Sequence, residues 1–154
     1  HRPRILIVDE PTVGLDPEER IRFRNLMAAL GKDRTVLLST HIVADLGGAC
    51  REIALLDRGQ IIFQGAPSAL VKAAAGKVFE VAASESTLET LERDYEIVSS
   101  TVVDGQVRLR GIAGNRPLPT GATAVSEPSL EESYVAFMTG RGQPSASILD
   151  MEEA

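Results

Sequence analysis

The chain has 154 residues, of which 44% are hydrophobic and 25% charged, a balance that suits a packed globular protein. Its net charge of −6 argues against a nucleic-acid partner held through phosphate contacts. A single cysteine excludes an internal disulfide, and with only two histidines beside it no closed structural zinc site can form. No apolar run approaches the roughly 20 residues that span a bilayer.

The charge is unevenly spread. Residues 1–76 are close to neutral at net +1, whereas residues 77–154 carry net −7. The chain opens on His1 rather than Met, and an apolar strand starts within a few residues. That pattern is the one expected of a piece of a longer protein.

Arg4-Ile5-Leu6-Ile7-Val8 reads as a strand whose continuous apolar character predicts burial on both faces, as in a parallel sheet. Asp9 and Glu10 follow at once. Two acids at the carboxyl end of a strand are either a solvated strand end or a ligand site of the kind open α/β sheets build there. Pro11 to Pro17 is a rigid loop leading into a helix. Asp16 suits the N-cap, Pro17 the first helical position, and Glu19 completes a capping-box spacing. Phe23, Leu26, Met27 and Leu30 form the stripe expected to face a core, and Gly31 ends the helix.

Arg34 to Ser39 is a second buried-type strand, which runs into Ser39-Thr40-His41. A lone histidine there is either structural or catalytic. Residues 42–52 are expected to be helical despite Gly47-Gly48, with Cys50 as small core filler. Ile53 to Asp57 and Gln60 to Phe63 form a hairpin around Arg58-Gly59, and Pro67 opens a short helix closed by Gly76.

The run Ile5-Leu6-Ile7-Val8-Asp9-Glu10-Pro11-Thr12, then Gly14-Leu15-Asp16, then Ser39-Thr40-His41 resembles, in order and spacing, the Walker B, D-loop and H-loop of an ABC transporter ATP-binding subunit, exporter type. The likeness covers residues 1–76 well and the remainder weakly. It implies an α/β fold: the carboxyl-terminal part of a P-loop NTPase core, starting at Walker B. The cofactors it implies are ATP and Mg²⁺. Asp9 would hold the metal, through water; Glu10 would orient or deprotonate the attacking water; His41 would bond the γ-phosphate and that water. Asp16 would join an interface between two ATPase subunits besides capping its helix. These are chemically suitable types, because Mg²⁺ prefers oxygen ligands and phosphoryl transfer needs a positioned base.

The phosphate-cradling Gly-x-x-x-x-Gly-Lys-Ser/Thr loop is not found in these residues. Neither Gly31-Lys32 nor Gly76-Lys77 is followed by Ser or Thr. The Leu-Ser-Gly-Gly-Gln signature is missing too, and Leu46-Gly47-Gly48-Ala49 is only a superficial echo of it. The chain alone is therefore expected to be inactive as an ATPase.

In the second half, Lys77 to Ala83 alternates as a half-buried strand, and Ser86-x-x-Glu89 predicts a capped helix containing Leu88 and Leu91. Tyr95 to Val103 and Gln106 to Arg110 form a hairpin turned at Asp104-Gly105, residues 111–121 a Gly/Pro-rich loop, and Ala122 to Ser126 a further strand. Ser129-x-x-Glu132 caps a helix expected to place Leu130, Tyr134, Phe137 and Met138 on its packed face. This order predicts a small α+β domain, with helices on one face of an antiparallel sheet. Glu127 to Tyr134 resembles the end of the extension on exporter-type ABC ATPases.

The expected layout is a partial ATPase domain at 1–76, an accessory domain at 77–139 and a mobile tail at 140–154. The resemblance implies coupling of ATP hydrolysis to transmembrane export, with membrane-spanning permease subunits and a second ATPase subunit as partners, no nucleic acid, and a cytoplasmic location on the inner face of the membrane. The alternatives are a non-catalytic dimerisation or regulatory piece and a non-transport ABC ATPase. Unflanked apolar strands also predict self-association, with Leu130, Tyr134 and Phe137 as contributors.

Overall fold

A computed structural model describes residues 3–48, 50–103 and 105–141. The expected turn residue Asp104, and the expected tail beyond Arg141, lie outside the described residues. The fold is mixed α/β and divides into two compact units that part after Pro67. No described helix is long and apolar enough to cross a membrane.

The first unit opens with a strand–helix–strand segment. Strand β1 (Ile5–Asp9) and strand β2 (Thr35–Ser39) pair in parallel, Ile5 opposite Thr35 through to Asp9 opposite Ser39. Helix α1 (Pro17–Leu30) joins them. Asp16 caps it, accepting from the Glu19 amide at 2.8 Å, and Pro17 begins it. Burial on both faces of the strands is not what the fold delivers. Leu6, Val8, Val36 and Leu38 are half-buried, but Ile5, Ile7 and Leu37 are exposed. Two strands and one helix can cover only one side of so small a sheet. For the same reason the α1 stripe is incomplete: Phe23, Met27 and Leu30 are half-buried, whereas Leu26 faces solvent.

The helix expected over 42–52 reduces to one 3₁₀ turn, Val43–Leu46. Gly47 takes up an extended conformation, and Gly48 follows at φ +75°, which an α-helix cannot contain. Cys50 thus lies outside any helix, half-buried, and burial raises its thiol pKa. Strands β3 (Ile53–Asp57) and β4 (Gln60–Gly65) form an antiparallel hairpin, turned at Arg58 and Gly59, both at positive φ.

The second unit starts within helix α2 (Pro67–Ala74), whose Leu70 and Ala74 are buried. Its centre is a four-stranded sheet in the order β6-β7-β5-β8, all neighbours antiparallel, from β5 (Val78–Ala83), β6 (Glu96–Val103), β7 (Gln106–Ile112) and β8 (Thr123–Ala124). Period-two alternation gives this sheet two packed faces. Phe79, Val81, Ala83 and Leu109 meet Leu88 and Leu91 of helix α3 (Glu85–Asp94). On the other face Val78 and Ile112 meet Ala74 of α2 and Val135 and Ala136 of helix α4 (Leu130–Gly140). The helices therefore cover both faces rather than the single face expected. Full burial of Phe79, Leu70, Leu109 and Ile112 stabilises the unit by about 1.5–3 kcal/mol for each side chain.

Two helix assignments shift. The α3 cap is Ser84 with Thr87 as its reciprocal partner, two residues ahead of the Ser86–Glu89 spacing. In α4 the Ser129–Glu132 capping box is present, but the buried face is Glu132, Ser133, Val135 and Ala136. Leu130, Tyr134, Phe137 and Met138 are only half-buried. Glu132 decides that face, because its carboxylate caps the helix and forms an ion pair with Arg110 Nη1 of β7 at 3.0 Å.

Candidate active site

The parallel register of β1 and β2 brings two chain segments together at the carboxyl ends of their strands. Asp9 is the last residue of β1 and sits opposite Ser39, the last of β2. Both lie on the exposed face, and the Ser39 hydroxyl donates to Asp9 Oδ1. One carboxylate oxygen is thereby engaged.

Glu10 follows in an unusual conformation. Its φ is +43°, in the left-handed region that costs a non-glycine residue of order 1–3 kcal/mol and is concentrated at functional sites. Its amide donates to the Ser39 carbonyl at 3.0 Å, extending the ladder by one bond past the strand. The loop beyond is held locally. Val13 N donates to Glu10 O at 3.4 Å, Leu15 N to Thr12 O at 3.2 Å, and Arg20 Nε to Leu15 O at 3.2 Å. Thr12 anchors this loop, at 1% exposure.

His41 reaches the same place from β2. Its Nδ1 lies 2.9 Å from Glu10 Oε2, with the two side chains 48% and 36% exposed. The two atoms lie at ion-pair distance, and Oε2 is enclosed. A buried carboxylate oxygen without a donor is costly. His41 Nδ1 stands beside this covered oxygen.

Asp9, Glu10 and His41 are thus gathered at one strand end. Asp16 serves α1 as its cap. No group of three or more His, Cys, Asp or Glu residues among the described residues could enclose a metal ion. The donor set fits a cation that arrives with phosphate oxygens of its own, since Mg²⁺ is commonly held by one or two carboxylates plus substrate phosphates and water. Ser39 is the residue that motif reading passes over. Its signal lies in the register: two five-residue strands paired in parallel from Ile5–Thr35 must end on Asp9–Ser39.

The strand–helix–strand unit, with paired acids and a histidine at its strand ends in the wording Asp9-Glu10-Pro11-Thr12 and Ser39-Thr40-His41, is similar to the ATP-binding subunits of ABC transporters, and the relatives that match 90% of the chain support that family. The relatives are Nod factor export ATP-binding proteins I. That of Burkholderia pseudomallei (strain 1710b) is 36% identical over 153 residues, covering 90% of this chain and 48% of the relative. Those of Rhizobium sp. (strain N33) and Bradyrhizobium sp. (strain SNU001) are each 32% identical, with the same two coverages. The chain spans about half the length of the curated relatives it matches. No family model matches it.

Proposed function

We propose that the chain is the carboxyl-terminal part of the ATP-binding, ATP-hydrolysing subunit of an ABC exporter, coupling ATP hydrolysis to transport out across a membrane. The observation that carries this is the meeting of Glu10 and His41 beside Asp9 at the carboxyl ends of two parallel strands. The relatives' printed names, each an export ATP-binding protein, support export as the work done.

On this reading, residues 1–76 belong to a P-loop ATPase core and 77–139 to an accessory domain. Asp9 would hold Mg²⁺ through water, and that ion, when bound, would supply charge neutralisation on the nucleotide phosphates. The Glu10 carboxylate accepts a proton from the attacking water, the role of a general base. The Ser39 carbonyl and the left-handed backbone at Glu10 hold that carboxylate in place. His41 stands beside the base and would bond the γ-phosphate. Asp16 adds a contact to a second ATPase subunit. Membrane-spanning permease subunits are the further partners, and the subunit works at the cytoplasmic face of the membrane.

The test is phosphate release by the full-length subunit with Mg²⁺ and ATP. Metal-dependent hydrolysis that falls sharply in Asp9→Asn supports the reading. A full-length protein that binds no ATP, or whose Asp9→Asn variant hydrolyses it at the wild-type rate, overturns it.

A further inference from the structure

We propose that Ser39 is a positioning residue, which aims the Asp9 carboxylate at a divalent cation while fixing Glu10 beside it. The inference rests on the reading that Asp9 holds the cation through water and adds the group that orients its carboxylate.

Ser39 is bonded to both acids at once. Its side chain donates to Asp9 Oδ1, and its carbonyl accepts from the Glu10 amide at 3.0 Å. The pairing is not accidental to the fold, because Asp9 and Ser39 are register partners on the same exposed face of the sheet. A serine there is a weak choice for the strand itself, where β-branched residues pack better. An exposed hydroxyl–carboxylate bond adds little net stability, since water competes for both groups. Its effect is on direction. A carboxylate held through Oδ1 has its plane set and presents Oδ2 as the free oxygen. Hydrogen bonds of this kind to ligating carboxylates tune metal sites, and losing one typically lowers metal affinity by about 10- to 100-fold.

The experiment uses the full-length subunit with a non-hydrolysable ATP analogue and Mn²⁺ as a paramagnetic substitute for Mg²⁺. Free Mn²⁺ is read by electron paramagnetic resonance for the wild type, Ser39→Val, Ser39→Thr and Asp9→Asn. Val and Thr differ only by a methyl against a hydroxyl and both suit a strand, so the comparison survives any general cost of changing this position. Ser39→Val is expected to bind Mn²⁺ at least about tenfold more weakly, with metal-free nucleotide affinity unchanged and Ser39→Thr close to wild type. Equal Mn²⁺ affinity in the Val and Thr variants, while Asp9→Asn binds weakly, overturns the role of Ser39 alone. Unchanged Mn²⁺ affinity in Asp9→Asn overturns the ligand assignment, and the positioning role with it.

Discussion

Nδ1 of His41 lies 2.9 Å from Oε2 of Glu10, so residues 31 positions apart in the chain meet at one strand end. The parallel register of β1 and β2 produces that meeting. Glu10 itself takes a left-handed backbone at φ +43°.

His41→Ala in the full-length subunit is expected to slow ATP hydrolysis while leaving Glu10 and the fold intact, because the imidazole is half-exposed and adds little to packing. Steady-state phosphate release, with circular dichroism as the check on folding, measures this. A variant that folds and turns over at the wild-type rate would remove His41 from the site.

The isolated 154-residue chain is expected neither to bind ATP tightly nor to hydrolyse it. It carries the acid and base residues without a phosphate-cradling loop, and backbone amides of such a loop supply much of nucleotide recognition. Titration calorimetry on protein of confirmed mass checks it. Micromolar affinity would count against this expectation.

The exposed apolar residues of the first unit predict self-association. Ile5, Ile7 and Leu37 are 63%, 69% and 59% exposed on one face of a two-stranded sheet, and open apolar strands pair with other chains. Light scattering on dilute protein should give a mass above that of one chain. Ile7→Thr with Leu37→Thr, which keeps strand propensity, should lower it. A monodisperse species of one chain's mass in the unsubstituted protein would refute the prediction.

In the second unit Gly111 lies under Phe79. A Cβ there would meet Phe79 Cζ at 2.7 Å and the Glu96 carbonyl oxygen at 2.9 Å. The backbone oxygen cannot swing aside as a flexible side chain could. Gly111→Ala is therefore expected to destabilise the unit by about 1–3 kcal/mol, the usual cost of overpacking, measured as a lower urea midpoint. An unchanged midpoint would mean that the sheet yields locally.

Local chemistry was the legible part of the sequence. The Ser129–Glu132 box, the Asp16 cap and the Arg58-Gly59 turn all depend on residues within a few positions of one another. Where two local signals compete, the choice is closer. Ser84–Thr87 prevails over Ser86–Glu89 because a threonine hydroxyl at the third helical position can accept from the cap amide as a glutamate would. Asp9, Glu10 and His41 were legible through their motif. The left-handed φ of Glu10 and the grip of Ser39 were not, since both follow from how two strands register. Burial was the least legible. A run such as Ile5 to Val8 shows what the strand could bury, but not what is present to cover it.

Glu10 is the residue proposed as the base. Glu10→Gln keeps the size of the side chain and an oxygen acceptor but cannot take up a proton at neutral pH. In the full-length subunit it should lower the ATP turnover rate by about 10²- to 10⁴-fold, the usual contribution of general-base catalysis, with ATP affinity unchanged. A Glu10→Gln protein that binds ATP normally and retains more than about a tenth of the wild-type turnover would contradict the assignment.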